Sequence, residues 1–225
     1  MPLPRRSLLL SVPSLIVPSL IVAGAALAPA LVPTAARADD DPRMASRSVG
    51  SAEAPVTVSE YFSLTCPHCA RFARDTLPRI HHEMIDTGKL RYTYQDFPLD
   101  QVALTAAMVA RALPPERYEP FVLALLASQD RWAFARGINN TEEIFKMAAL
   151  AGMSRPQFDA TIADKKLRDA ILSTQDAAEK QYHVDSTPTF IFSGPTKKDR
   201  NASGEMTYDG FTAVYLEVGG APLAG

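Results

Sequence analysis

The chain has 225 residues, 47% of them hydrophobic and 21% charged, with a formal net charge of −2. That length supports one domain, or one domain with an insertion, around a well-buried core, and the composition excludes an intrinsically disordered chain. No basic stripe runs along it, which argues against nucleic-acid binding.

Residues 1–38 read differently from the rest. Arg5 and Arg6 form a positive start, Leu8 to Val32 is apolar and uncharged, and Ala36-Arg37-Ala38 precedes Asp39-Asp40-Asp41. This is the pattern of a secretory signal peptide cleaved after Ala38. The apolar run is also long enough to span a bilayer as an anchor. Pro13, Pro18 and Pro29 within it, and the small-x-small site beyond it, favour cleavage. Arg5-Arg6 fits a twin-arginine signal only weakly, because no serine or threonine precedes the pair. Loss of this segment removes three arginines and no acid, leaving an exported chain that is mildly acidic.

Residues 39–53 are polar, without apolar period, and read as a flexible lead-in. Val56 to Phe62 alternates well enough for a first strand, closed by Ser63-Leu64-Thr65. Cys66-Pro67-His68-Cys69 follows, then a helix from Ala70 to about Leu77. A kink is expected at Thr76-Leu77-Pro78, because proline has no N–H to give. The helix resumes through Ile85 and stops near Gly88, and Leu90 to Phe97 is a second strand ended by Pro98.

From Asp100 the period turns helical. Gln101 to Leu113 is broken by Pro114-Pro115, and Pro120 opens a helix that ends around Gln129. Asn140-Thr141-Glu142-Glu143 reads as a capping box opening a helix to Gly152, and Ser154-Arg155-Pro156-Gln157 starts the next in the same way. Asp169 to Tyr182 is the last helix of the block, with Ile171, Ala178 and Tyr182 inward. Strand character returns at Thr189 to Phe192. Turn-rich residues 193–204, a short strand Met206 to Gly210 and a helix Thr212 to Val218 complete the chain. The order βαβ, helical block, ββα is simplest as one sheet that pairs late strands with early ones, with the helices inserted.

Cys66 and Cys69 are the only two cysteines. A disulfide across two intervening residues removes little loop entropy, so it is a poor staple and a better redox pair. A strand delivering Cys-x-x-Cys to a helix start is the layout of a thiol–disulfide site, because unpaired N–H groups there stabilise a thiolate. Cys66, nearer the helix start, is the expected attacker and Cys69 the resolving partner. The macrodipole contributes about 0.3–1 kcal/mol, at most near 2, and so lowers a thiol pKa by about one unit. N–H bonds to sulfur, and a His68 imidazolium, are left to supply the rest. A structural zinc wants four ligands, and His68, His81, His82 and His183 show no ligand spacing to the cysteines. Glu60 is the one acid in its strand. It either faces solvent or, turned inward, is a buried carboxylate with a raised pKa that can shuttle the proton of Cys69. Thr187-Pro188 before a strand is either a tolerated strand-edge proline or a cis bond beside the sulfur.

Cys66-Pro67-His68-Cys69 after Glu60-Tyr61-Phe62-Ser63, with Thr187-Pro188-Thr189-Phe190 far downstream, resembles the DsbA family of thioredoxin-fold oxidoreductases. The resemblance covers about residues 50–219 and implies an α/β thioredoxin fold with an inserted all-helical domain. Residues 54–99 and 183–219 would form the thioredoxin part, and 100–182 the insertion. It further implies that Cys66 and Cys69 are the redox pair, that Pro188 is cis and contacts substrate together with Thr187, and that Glu60 matches the family's buried acid. No cofactor or metal is implied. The partners implied are protein or peptide thiols and a membrane redox protein of the DsbB type, with a monomer in the periplasm as the expected state. Thr187 is a departure, since the best-known oxidases of this family carry valine before the proline and threonine resembles the isomerase branch. Isomerases of the DsbC type carry a dimerisation domain that residues 39–53 are too short to form, which favours a monomeric oxidase. A reductase or isomerase on the same fold, and a non-redox thioredoxin-like binding protein, are the alternatives.

Overall fold

The computed structural model describes residues 41–223, and the leader read at residues 1–38 lies outside them. Strand β2 (Val56–Phe62) is the middle of a five-stranded sheet. Its alternation places Val56, Val58, Glu60 and Phe62 on one buried face and Tyr61 on the other. It pairs in parallel with β3 (Leu90–Asp96) and antiparallel with β4 (Thr189–Ser193). Two antiparallel edge strands, β1 (Arg47–Val49) against β3 and β5 (Arg200–Ser203) against β4, complete the order β1-β3-β2-β4-β5.

A parallel pair needs a crossover. Here it is α1 (Pro67–Asp75), α2 (Leu77–Ile80) and a π turn over His81–Ile85, with the expected break at Thr76. Between β3 and β4 every element is helical: α3 (Gln101–Ala112), α4 (Pro115–Ala127), α5 (Gln129–Trp132), α6 (Asn140–Leu150), α7 (Arg155–Ile162) and α8 (Lys165–Tyr182). Helix α9 (Tyr208–Glu217) follows β5.

The pleat of β4 explains how both faces are covered. Phe190 and Phe192 meet Phe72 of α1 and Phe211 of α9, with ring centroids 4.6 Å apart for Phe72–Phe190 and 4.8 Å for Phe192–Phe211. Ile191 faces the opposite way and joins Tyr61, Phe97 and Ala178 of α8 in a second cluster. The larger core runs on without interruption from Phe62 and Phe72 to Phe121, Trp132 and Phe158 of the helical block.

Several elements depart from the sequence expectations, each for a local reason. The polar lead-in carries a 3₁₀ turn (Pro42–Met44) and edge strand β1, held by polar contacts as well as by Met44 and Val49 against the core. Arg111 pairs with Asp96, both side chains 3% exposed, and donates to the Ala45 carbonyl at 2.9 Å. Arg47 donates to the Arg111 carbonyl at 3.1 Å, and its guanidinium lies 5.3 Å from the Tyr118 ring centre. The turn leaving β1 needs Gly50 at φ +88°, where a Cβ would sit 2.5 Å from the Leu90 carbonyl.

Helix α4 starts at Pro115 rather than Pro120, with Pro114 as its cap, because proline at the first helical position loses no bond. Asn139 rather than Asn140 caps α6, freeing Asn140 to donate to the carbonyls of Trp132 and Ala133. The Ser154–Gln157 capping box forms as expected. Helix α8 begins before Asp169 because Asp164 accepts from the N–H groups of Lys166 and Leu167. No strand forms at 206–210; Thr207 caps α9 instead, and the last strand is the polar, exposed Arg200–Ser203. That edge is held by its backbone pairing to β4, a bond without a side-chain pattern.

The Asp96–Arg111 pair yields a prediction. Asp96→Ala leaves a buried guanidinium without its partner and should cost about 3–5 kcal/mol in urea unfolding. A loss below about 1 kcal/mol would mean that water or a carbonyl replaces the carboxylate at no cost.

Candidate active site

Cys66 sits at the N-cap of α1 with extended backbone (φ −83°, ψ 118°), and Pro67 occupies the first helical position. The turn before it closes through Cys66 N–H to the Ser63 carbonyl at 3.1 Å. Because Pro67 has no N–H, the first turn offers the sulfur the amides of His68 and Cys69. Both cysteines are buried, Cys66 at 4% and Cys69 at 0% exposure, and both are free thiols here.

Their environments pull in opposite directions. The Cys66 thiol is lowered from 9.0 to about 5, first by the Cys69 thiol, which donates to its thiolate. Burial works against this, while Thr187 and the backbone N–H groups of Cys69 and His68 add to it. Cys69 is pushed well above its ordinary value, first by burial, then by its bond to Cys66 and by the nearby Glu60 charge. One sulfur is therefore a thiolate at neutral pH and the other a thiol.

Thr187 reaches Cys66 from the far end of the chain. The bond between Thr187 and Pro188 is cis, as the resemblance implies. As a neutral thiol Cys66 donates to the Thr187 carbonyl at 3.2 Å. The Thr187 hydroxyl is buried and has no protein partner in that state. A hydroxyl can donate to a thiolate, and the Thr187 side chain helps to lower the Cys66 thiol.

Glu60 faces inward. It is 3% exposed, accepts from the Tyr92 hydroxyl at 2.6 Å, and is raised from 4.5 to about 8, by burial above all. The Tyr92 bond lowers it in part, and a Cys66 thiolate raises it further. The structure thus gathers Cys66, Cys69, Glu60, Thr187 and Pro188.

The His68 ring is placed elsewhere. It is exposed and turned to Glu205 Oε2 at 3.1 Å and to an Arg71 nitrogen at 2.6 Å. Arg71 binds the same Glu205 oxygen at 2.8 Å. What His68 brings to the sulfur is its main-chain amide. His81, unassigned from sequence, bonds to Glu119 at 2.9 Å, and Glu119 accepts from Tyr94 at 2.7 Å.

Tyr92, Glu205 and Arg71 were missed by sequence reasoning. Only Tyr92 carried a signal, since its neighbouring parallel strand had to supply any partner for an inward Glu60. Among the described residues, no three His, Cys, Asp or Glu side chains gather to hold a metal ion. No described helix is long and apolar enough to cross a membrane.

A profile of the family described as thioredoxin matches residues 43–213. The chain belongs to the thioredoxin family. Within it, the chain is 31% identical to Wolbachia pipientis α-DsbA1, covering 78% of this chain and 91% of that one at a TM-score of 0.70, which sets it in the DsbA branch. BdbD of Bacillus subtilis, 18% identical over 77% of this chain and 92% of that one, shares the fold at a TM-score of 0.66. A curated Rickettsia typhi protein, named provisionally as a protein-disulfide oxidoreductase, is 28% identical over 147 residues, which is 65% of this chain and 54% of the relative. The chain spans about half the length of the curated relatives it matches. The DsbA-branch architecture is that of a thioredoxin fold with helices between the early and late strands, as expected.

The Glu60 shift has a sign that can be tested. A carboxyl raised from 4.5 to about 8 keeps a proton in the folded state that the unfolded state has lost. Stability therefore falls as pH rises from about 4.5 through about 8, by at most about 5 kcal/mol. Cys66 acts in the opposite sense, but only in the reduced protein. Its stabilising effect is full above its unfolded value of 9.0 and is lost as pH falls through about 5. In the oxidised protein the Cys66 charge is gone but burial still raises Glu60, so stability should fall as pH rises above about 4.5, and Glu60→Gln should flatten the curve in urea titrations at a series of pH values. Parallel curves for the two proteins would put Glu60 in contact with water.

Proposed function

We propose that this chain is an exported protein thiol–disulfide oxidoreductase that introduces disulfides, with Cys66 as the exchanging sulfur. The observation that carries the reading is the opposed pair of thiols. An incoming substrate thiolate attacks Cys66 Sγ of the oxidised pair, the Cys66–Cys69 bond breaks, and Cys69 leaves carrying the electron pair. A second substrate thiolate then attacks the substrate sulfur of the mixed disulfide and expels Cys66 as thiolate. Two electrons pass to the protein, and the substrate leaves with a disulfide. A low-pKa Cys66 is the better leaving group in that second step. At neutral pH its thiolate lies about two units below ambient, which shifts the couple toward oxidation by ~60 mV.

Glu60 serves the Cys69 proton. A mixed disulfide at Cys66 carries no charge, so the repulsion that raises Glu60 is relieved, and the carboxylate becomes available when Cys69 gains or loses its proton. A groove of about 840 Å³ lined by His68, Thr76, Thr187, Glu205, Met206 and Tyr208 runs beside the sulfur and suits an extended peptide. The expected setting is the periplasm after loss of residues 1–38, with a monomer reoxidised by a membrane protein of the DsbB type. The Thr187 side chain adds to the stabilisation of the Cys66 thiolate, which favours the reduced pair and so makes the disulfide the stronger oxidant.

Equilibration with glutathione tests this reading. The potential should lie nearer the roughly −120 mV of strong oxidases than the roughly −270 mV of thioredoxin. A value at or below about −250 mV would assign the chain to reduction instead. In parallel, Cys69→Ala should accumulate mixed disulfides through Cys66, and Cys66→Ser should form none; equal trapping by both would reverse the roles of the two sulfurs.

A further inference from the structure

Two side chains of the helical block hydrogen-bond to the active-site turn. Thr65 Oγ1 donates to Asp100, the cap of α3, at 2.7 Å. Gln129, the first residue of α5, sends its buried amide between two carbonyls: Nε2 lies 2.8 Å from the Leu64 oxygen and 3.0 Å from the Cys66 oxygen. Carbonyl oxygens only accept, so the NH₂ end of the amide faces them. Gln129 is itself firmly placed. Its carbonyl accepts from Ala133 and Phe134, and the Trp132 indole N–H ties α5 to the Leu125 carbonyl of α4 at 2.7 Å.

The two carbonyls bracket the turn that delivers the sulfur. The Cys66 oxygen also accepts from Ala70 N–H at 3.2 Å, the first backbone bond of α1. It is therefore shared between α1 and the helical block. The amides that hold the thiolate belong to α1, whereas the backbone that carries the sulfur is held by Gln129. How well sulfur and amides face one another depends on both.

We propose that Gln129 is a positioning residue for Cys66, holding the Leu64 and Cys66 carbonyls so that the sulfur meets the N–H groups of His68 and Cys69. This rests on the redox reading of the Cys66–Cys69 pair. It makes the helical block a contributor to thiol reactivity, through one side chain that touches neither sulfur.

The test is titration of the Cys66 thiolate by ultraviolet absorbance in the full chain, together with thermal melting. Gln129→Met keeps the volume and removes both donors. Gln129→Asn keeps an amide that is one methylene too short to reach both carbonyls. The acid dissociation constant of Cys66 should fall roughly three- to tenfold in Gln129→Met and less in Gln129→Asn, with the glutathione equilibrium moving in the same order. Should Gln129→Met fail to fold, the Gln129→Asn titration decides alone. An unchanged Cys66 titration in whichever variant folds, even with a lowered melting point, makes Gln129 a structural clamp and overturns the proposal. The titration needs no substrate. A wild-type chain that catalyses no exchange would therefore sink the functional reading while leaving the Gln129 comparison intact.

Discussion

A single negative charge on Cys66, held at the head of α1 and largely covered, sets the requirements that the surrounding structure meets. Lowering a thiol from 9.0 to about 5 corresponds to about 5 kcal/mol of preferential stabilisation of the anion. The helix macrodipole accounts for at most about 2 of that. The greater part comes from short-range donors: the Cys69 thiol, the Thr187 hydroxyl and two backbone amides. Short-range bonds are directional, so the site depends on a backbone that does not drift. Pro67 at the first helical position supplies part of that rigidity, and the loss of its N–H costs nothing there.

The groups in the layer beneath Cys66 are more deeply buried than it is, and burial makes them resist charge. Cys69 and Glu60 both lie in that layer, and each is pushed toward its neutral form. A buried acid held near neutral pH is a stability cost that an apolar residue at the same place would not carry. In the proposed exchange that cost has a use, since the carboxyl titrates near ambient pH beside a thiol that must give up a proton. Fold stability and ionisation at the site are therefore linked through two groups, with opposite pH slopes from Glu60 and Cys66.

Much of this was legible in the sequence. The apolar runs at Val56–Phe62 and Thr189–Phe192 form the strands expected of them, and the Ser154–Gln157 box marks its helix start. Even the direction of Glu60 could have been settled, because it shares the parity of Val56, Val58 and Phe62. What could not be read was held together by polar contacts between distant segments. The lead-in is ordered by Arg47, Arg111 and Asp96, and β5 is a polar edge defined by its partner. Neither leaves an apolar period. The His68 ring is a similar case: its position between the cysteines suggested a sulfur contact, while Glu205, from the turn before α9, draws the imidazole away. Gln129 carried no signal at all, since a glutamine at a helix start looks like any solvated residue.

Why Cys66 and Thr187 meet across such a span of sequence follows from strand direction. β2 runs toward Cys66, and β4 runs the opposite way beside it, with Tyr61 opposite Thr189. The chain must therefore enter β4 at the end where it leaves β2, whatever lies between. Residues just before Thr189 are then carried to the level of the turn at Ser63–Cys66, and Thr187 falls against the sulfur. The helical block can consequently sit between β3 and β4 without disturbing this juxtaposition, because only the register of β4 on β2 defines it. A one-residue slip of that register would reverse which side chains of β4 face Phe72 and Phe211, exposing Phe190 and Phe192 to the wrong layer. The aromatic packing of α1 and α9 on β4 thus fixes the position of Thr187, and through it part of the reactivity of Cys66.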